Sequence, residues 1–253
     1  MFKIATWNVN SIRVRLPHVL AWLQETSPDV LCLQEIKVID QDFPVAAFEA
    51  VGYQVVVSGQ KTYNGMAILS KQALTNPITV FPSFEDPQKR VLAVSINDLR
   101  IINLYVPNGS EVGSEKYSYK LEWLQHLKLF LISELKQHQK IIILGDFNIA
   151  PEDRDVHDPV KWQGHVLCSP AERAALQEII NLGFVDTFRL FDQPEKSYSW
   201  WDYRMMAFRR NMGLRIDHIL TTPNLSCVSC DIDKKPRALE QPSDHAPVVA
   251  GFV

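Results

Sequence analysis

Two rhythms of hydrophobic positions run along this chain. Short, nearly continuous apolar runs of strand length occupy residues 2–7, 30–34, 54–57, 65–69, 91–96, 100–106, 140–144, 214–220 and 246–253. Runs of this length, rich in Val and Ile and bounded by Gly, Pro or polar clusters, predict buried strands. Between some of them the period lengthens to that of a helix. Leu16, Val19, Leu20 and Leu23 fall at i, i+3, i+4 and i+7, so a helix is expected to stop near Pro28. Leu121, Leu124, Leu127, Leu131 and Leu135 mark a second, longer helix. Ser169-Pro170 with Glu172 reads as the capped start of a third, ending at Gly183. Strands outnumber helices and often follow one another directly, which argues against regular βα alternation. The pattern predicts an α/β chain with two packed sheets flanked by helices. No linker or composition break divides it, so residues 1–253 are expected to form one domain.

Polar residues interrupt the strand pattern in one recurrent way. The run at 140–144, Lys-Ile-Ile-Ile-Leu, leads into Gly145-Asp146-Phe147-Asn148. Side chains two apart on a strand point the same way, so Asp146 and Asn148 can address one object together. The first strand delivers Asn8 and Asn10, the second Gln34 and Glu35, and the run at 100–106 carries Tyr105. The run at 214–220 contains Asp217 and His218, and Asp244-His245 precedes the last strand. An acid or imidazole beside a core strand costs desolvation energy unless it is paired, hydrogen-bonded or bound to metal. So many such groups arriving at strand ends predict a common site.

Their types narrow the chemistry. Carboxylate and amide oxygens from Asn8, Glu35 and Asp146 suit a hard cation such as Mg²⁺, with substrate phosphate completing its shell. The absence of a Cys or His cluster disfavours zinc. Phosphodiester hydrolysis needs on the order of 20 kcal/mol removed from its barrier. A metal, a water-activating carboxylate and an imidazole facing the phosphoryl oxygens divide that task. Asp217 could orient His245 and favour its cationic form.

Composition adds limits. With 46% apolar and 22% charged residues and only four cysteines, the chain reads as an ordinary globular protein of a reducing cytoplasm. It has no apolar run near the roughly 18 residues of a membrane helix, and no signal-peptide pattern at the N-terminus. The net charge of −3 does not announce a polyanion binder. Distribution says more: Arg204, Arg209, Arg210 and Arg215 lie in a stretch without an acid. Smaller basic groups occur at Arg13/Arg15, Lys89/Arg90, Lys116/Lys120 and Lys234/Lys235/Arg237. A locally basic face fits a nucleic acid. Cys227 and Cys230 have no partner pair and are read as incidental, and His218 as packing.

Taken together, these segments resemble the exonuclease III class of apurinic/apyrimidinic endonucleases, within the endonuclease/exonuclease/phosphatase superfamily. The resemblance spans Trp7-Asn8-Val9-Asn10, Leu33-Gln34-Glu35-Ile36-Lys37, Tyr105-Val106-Pro107-Asn108, the Gly145–Pro151 segment, Ser199-Trp200-Trp201-Asp202-Tyr203-Arg204, Gly213–Asp217 and Ser243-Asp244-His245-Ala246-Pro247. It implies a deoxyribonuclease I-like, four-layered α/β sandwich of two mixed sheets. It implies a Mg²⁺ enzyme, with Mn²⁺ as a substitute, that incises duplex DNA 5′ to abasic sites and removes 3′ nucleotides or blocking groups. Glu35 resembles the principal metal ligand, with Asn8, Asn10 and Asp244 in or near its shell. Asp146 resembles the water-activating group, with Asn148 beside it, and both, like His245, are candidate ligands too. Asp217 and His245 resemble the pair on the scissile phosphate, and Tyr105 the phenol that assists there. Trp200 and Trp201 resemble the rim that accepts a baseless sugar, although adjacent strand residues face opposite sides and one of them is expected in the core. Asn10, Arg90, Lys116 and Arg204 complete the expected DNA contacts. A monomer is the default. Two rivals remain: a phosphoesterase of the same superfamily acting on small phosphoesters or lipids, and a DNA-binding relative without catalysis.

Overall fold

The computed structural model describes residues 1–253. Twelve strands and five α-helices follow one another as β1 (Phe2–Asn8), α1 (Ile12–Thr26), β2 (Val30–Gln34), α2 (Val45–Glu49), β3 (Gln54–Ser58), β4 (Met66–Ser70), β5 (Thr75–Ile78), β6 (Val91–Ile96), β7 (Leu99–Tyr105), α3 (Glu115–Gln137), β8 (Lys140–Asp146), α4 (Pro159–Trp162), α5 (Pro170–Ile180), β9 (Val185–Asp186), β10 (Asp217–Thr221), β11 (Cys227–Ile232) and β12 (Val248–Phe252). The strands form two six-stranded sheets, ordered β11-β12-β1-β2-β4-β3 and β5-β6-β7-β8-β10-β9. Both are mixed, with β1–β2 and β7–β8 the parallel pairs. The expected arrangement of two packed mixed sheets with helices outside is the one found. No helix is long and apolar enough to cross a membrane.

Three apolar layers hold the sandwich together. Ile4, Val30, Cys32 and Ile68 of one sheet meet Leu92, Val94, Ile142 and Leu144 of the other. α3 and α5 cover the second sheet through Trp123, Leu124, Leu127, Leu131, Leu176 and Ile179. α1 covers the first through Val19, Trp22 and Leu23. The serine and Glu172 at the start of α5 form the reciprocal cap anticipated from sequence.

Polar bonds fix how one sheet sits on the other. Buried Gln34 donates through Nε2 to Asn103 Oδ1 (2.7 Å) and to Thr6 Oγ1 (2.8 Å). Asn103 Nδ2 donates in turn to the carbonyls of Leu33 (3.0 Å) and Ala67 (3.1 Å). An apolar interface can slide; this one has a polar register pin between β2 and β7. Strand pairing then aligns the polar termini. Asn8 pairs with Gln34, Tyr105 with Asp146, and Asp146 with Asp217. Because β1, β2, β7 and β8 end where β10 and β12 begin, all their polar residues come to one edge of the sandwich.

Leu214–Ile216, expected as the start of β10, instead runs across the strand ends and bridges Val156 and Trp200 at Leu214. Arg215, counted above with the basic stretch, is buried and paired with Asp155 (2.7 Å) and Asp186 (2.8 Å). Lys120, one of the smaller basic groups together with Lys116, is fully buried.

Candidate active site

Asp146 is buried and receives more hydrogen bonds than a turn role needs. The backbone N–H of Asn148 donates to its Oδ1 (2.9 Å), while the side-chain amides of Asn8 (3.0 Å) and Asn148 (3.2 Å) donate to Oδ2. The turn that makes this possible places Asn148 at φ 50°, a left-handed conformation that Asn tolerates better than most residues. Gly145 before it also has positive φ, and a Cβ there would lie 1.9 Å from the Leu104 carbonyl oxygen. Only glycine lets β7 and β8 approach closely enough to set Tyr105 beside Asp146.

His245 faces the same carboxylate. Its Nδ1–H donates to Asp217 Oδ2 (2.9 Å), leaving Nε2 at 3.7 Å from Asp146 Oδ2. Burial opposes charging the imidazole, but Asp217 and then Asp146 outweigh it and raise the His245 pKa to about 10. Burial lifts the Asp146 carboxyl to about 7; cationic His245 opposes this and anionic Asp217 adds to it. Asp217 therefore pairs with His245 and not with Arg215.

Glu35 completes the opposite wall. Its Oε1 accepts from Asn8 Nδ2 (2.9 Å) and from the Tyr105 hydroxyl (2.8 Å), and its Oε2 lies 2.9 Å from Lys37 Nζ. Burial alone would raise this carboxyl; the Lys37 ammonium and the three hydrogen-bond donors prevail and hold it below its ordinary range. Tyr105 shifts the other way. Burial, reinforced by the neighbouring Glu35 and Asp146 charges, raises its pKa far above the usual phenol value, so it keeps its proton. The Arg90 guanidinium stacks over the Tyr105 ring at 4.7 Å and steadies it.

The geometry places the remaining expected residues as follows. Asn8 Oδ1 accepts the Asn10 backbone N–H (3.0 Å), so Asn8 presents its amide nitrogen to Glu35 and Asp146. It bridges the two carboxylates through that one nitrogen. Both Asp244 oxygens are engaged, by Asn10 Nδ2 (2.9 Å) and by Trp200 Nε1 (2.9 Å), which makes Asp244 a brace for the rim. Asn148 Oδ1 accepts from Asn108 Nδ2 (3.1 Å). Trp201 is withdrawn from the substrate face: it is fully buried, edge-on to Phe208, while Trp200 remains half-buried at the rim. One tryptophan of the pair is core because successive residues of an extended segment point to opposite sides.

These residues open onto a cavity of about 300 Å³ lined by Glu35, Tyr105, Asp146, His245 and an apolar wall of Trp162, Val166, Leu167 and Trp200. Arg204 reaches the same rim, paired with Asp202. Arg90 and the exposed Lys116 belong to an adjoining cleft with Tyr63, Asn64 and Asn108. A larger depression of about 920 Å³, around Arg189 and Tyr198, contains none of the site residues. The apolar wall escaped the sequence reading, since Trp162, Val166 and Leu167 belong to no strand run and have no periodic signal.

Asp146, Asp217 and His245 place one potential ligand atom each within 4.8 Å of one another. Lys37 pairs with Glu35, and His245 with Asp217 and, at 3.7 Å, with Asp146, while the side-chain donors on Asp244 are the neutral Asn10 and Trp200.

The sequence profile of the Endonuclease/Exonuclease/phosphatase family matches residues 5–245. Exodeoxyribonuclease III of Haemophilus influenzae is 39% identical over 99% of both chains. Among solved structures, the 3′ phosphatase NExo from Neisseria bound to a product DNA hairpin is 44% identical, with a TM-score of 0.98 over 100% of both chains. An AP endonuclease from Archaeoglobus fulgidus is also 44% identical, with a TM-score of 0.95 over 100% of this chain and 99% of that one.

Proposed function

Because this chain belongs to the endonuclease/exonuclease/phosphatase family, and is a hydrolase of its exodeoxyribonuclease III/AP endonuclease type, we propose that it is a Mg²⁺-dependent DNA-repair phosphodiesterase acting on duplex DNA. It incises 5′ to abasic sites and removes 3′ nucleotides or 3′ blocking groups, leaving a 3′-hydroxyl. The observation that carries this reading is the coupled Asp146, Asp217 and His245 group opening onto a small cavity with an apolar wall. A baseless sugar can lie against Trp200 and Leu167 while its phosphate meets the polar side.

The donor set fits a divalent hard cation. Carboxylate oxygens of Glu35 and Asp146 converge within hydrogen-bonding distance of one Asn8 nitrogen, a set of hard oxygen donors that suits such an ion. Glu35 and Asp146 would hold it, with Mn²⁺ able to substitute. Bound there, the ion would supply charge neutralisation for the phosphate. The residues divide the remaining work. Asp146 accepts the proton of the attacking water, which Asn148 helps to hold. Cationic His245, oriented by Asp217, directs Nε2–H at the phosphoryl oxygens where negative charge develops. Protonated Tyr105 can donate to the departing oxygen. Lys116 and Arg204 make salt-sensitive contacts to flanking phosphates. We further propose a monomer working in the cytoplasm.

A second emphasis, trimming of 3′ ends, draws support from the close likeness to the Neisseria 3′ phosphatase. A product-resolved assay separates the two. An abasic duplex, an intact recessed 3′ end and a 3′-phosphate end are incubated with the protein and Mg²⁺. Faster nicking of the abasic duplex is expected; turnover confined to 3′ ends would restrict the protein to end processing. Turnover of small phosphoesters alone would overturn the assignment to DNA.

A further inference from the structure

A buried ammonium requires partners for all of its donors. Lys120, on α3, has no exposed side-chain surface. Its Nζ donates to Glu172 Oε1 (2.5 Å), to the carbonyl of Asn148 (2.7 Å) and to the carbonyl of Asn108 (3.1 Å). Glu172 in turn accepts from the backbone N–H groups of Leu167 (3.0 Å) and Ser169 (3.1 Å) and from Ser169 Oγ (2.6 Å). One ion pair thus ties together three separate segments of the cavity wall: the turn after β7, the turn after β8 and the segment before α5. The lysine stem is tightly seated, since a Cβ on Gly109 would lie 3.1 Å from Lys120 Cδ.

The bond to Asn148 has a particular consequence. The left-handed backbone there turns its carbonyl inward, where the Lys120 ammonium receives it. The same backbone directs the Asn148 side-chain amide to Asp146 Oδ2 and to the Val106 carbonyl (3.0 Å). Relaxation of this residue to a right-handed or extended conformation would carry the amide away from Asp146.

We infer that Lys120, anchored by Glu172, is a positioning residue of the hydrolytic site, holding the left-handed turn that aims the Asn148 amide at the Asp146 carboxylate. This rests on the reading of Asp146 and Asn148 given above. A merely structural ion pair behaves differently, because buried pairs can be replaced by apolar residues of similar volume without loss of stability. The test uses Lys120→Met alone and combined with Glu172→Leu. The single variant is expected to lose about 30-fold in kcat on an abasic duplex with KM within about twofold, as misplacement near a reacting group typically costs rate more than affinity. The double variant removes the uncompensated charge but leaves the Leu167 and Ser169 donors without their acceptor, so its Tm should recover only in part while kcat stays depressed. In ¹⁵N-labelled protein, the buried, doubly bonded side-chain amide of Asn148 should shift and exchange faster in both variants than in the wild type. Recovery of Tm and kcat together, or an unchanged Asn148 signal, would overturn the inference. Should neither variant fold, Lys120→Gln decides: wild-type kcat there refutes it and a several-fold loss supports it. If the wild-type protein does not cleave DNA, the functional reading fails, while the Asn148 signal still tests the positioning role.

Discussion

At the scale of single residues, the site works by setting neighbouring groups against one another. Burial, and then the charge of Asp217, raises the Asp146 carboxyl towards neutrality against the pull of His245, while Asp217 and Asp146 hold the imidazole cationic. Removing either side of that relation should disable chemistry before binding. Asp146→Asn and His245→Ala are each expected to lose at least about 100-fold in kcat while retaining DNA affinity, as single-turnover and binding measurements would show. Near-normal turnover in either would contradict the assigned roles. His218, next to Asp217, faces away from the site and shows the opposite balance. Burial first, then the Arg215 charge, lowers its pKa to about 4. Arg215 donates to its Nδ1 (3.1 Å), so Nε2–H donates to the Ile149 carbonyl (2.9 Å). An unfolded chain would protonate this imidazole near its ordinary pKa of about 6.5, whereas the folded protein resists until about 4. Its stabilising contribution is therefore complete above about pH 6.5 and falls by about 3 kcal/mol as pH drops towards 4. Denaturant midpoints across that range should decline in the wild type and less steeply in His218→Phe; parallel slopes would rule the effect out.

At the scale of elements, strand ends carry the candidate site. The chain of pairings from Asn8 through Gln34, and from Tyr105 through Asp146 to Asp217, turns residues far apart in sequence into neighbours. Gly145 is the most sensitive point in it. Gly145→Ala would force a Cβ into the Leu104 carbonyl of the paired strand. We expect loss of several kcal/mol, or no soluble protein, by thermal denaturation; a wild-type Tm would refute this. Elements with an uninterrupted apolar run were legible from sequence, as were the capped start of α5 and the leucine period of α3. Strands with weak or mixed patterns were not. β5, Thr75–Ile78, is largely exposed and includes Pro77; β9 has two residues; β11 is a half-exposed edge strand of Cys, Ser and Asp. Their conformation comes from pairing with neighbours, which local composition does not express. Polar strand ends were legible for a stronger reason: an Asp or His beside a core strand has few inexpensive explanations. Hidden partnerships were not. Lys120 looks like any helix lysine in sequence, Arg215 like part of a basic stretch, and Trp201 like its neighbour Trp200.

At the scale of the whole molecule, two sheets contribute opposite halves of one centre. Glu35 and Asn8 come from one sheet, Asp146, Tyr105 and Asp217 from the other, and the Gln34–Asn103 bond between the sheets sets their distance. The likeness to DNA-processing relatives runs the full length of the chain, so the whole scaffold is shared. The central claim is that this centre hydrolyses damaged duplex DNA with the help of a divalent ion. It is tested most directly by incubating the purified protein with an end-labelled abasic duplex in Mg²⁺ and in EDTA, and resolving the products. The account predicts a single nick 5′ to the abasic site, a 3′-hydroxyl product, and no cleavage in EDTA. An intact duplex in Mg²⁺, or equal cleavage in EDTA, would contradict it.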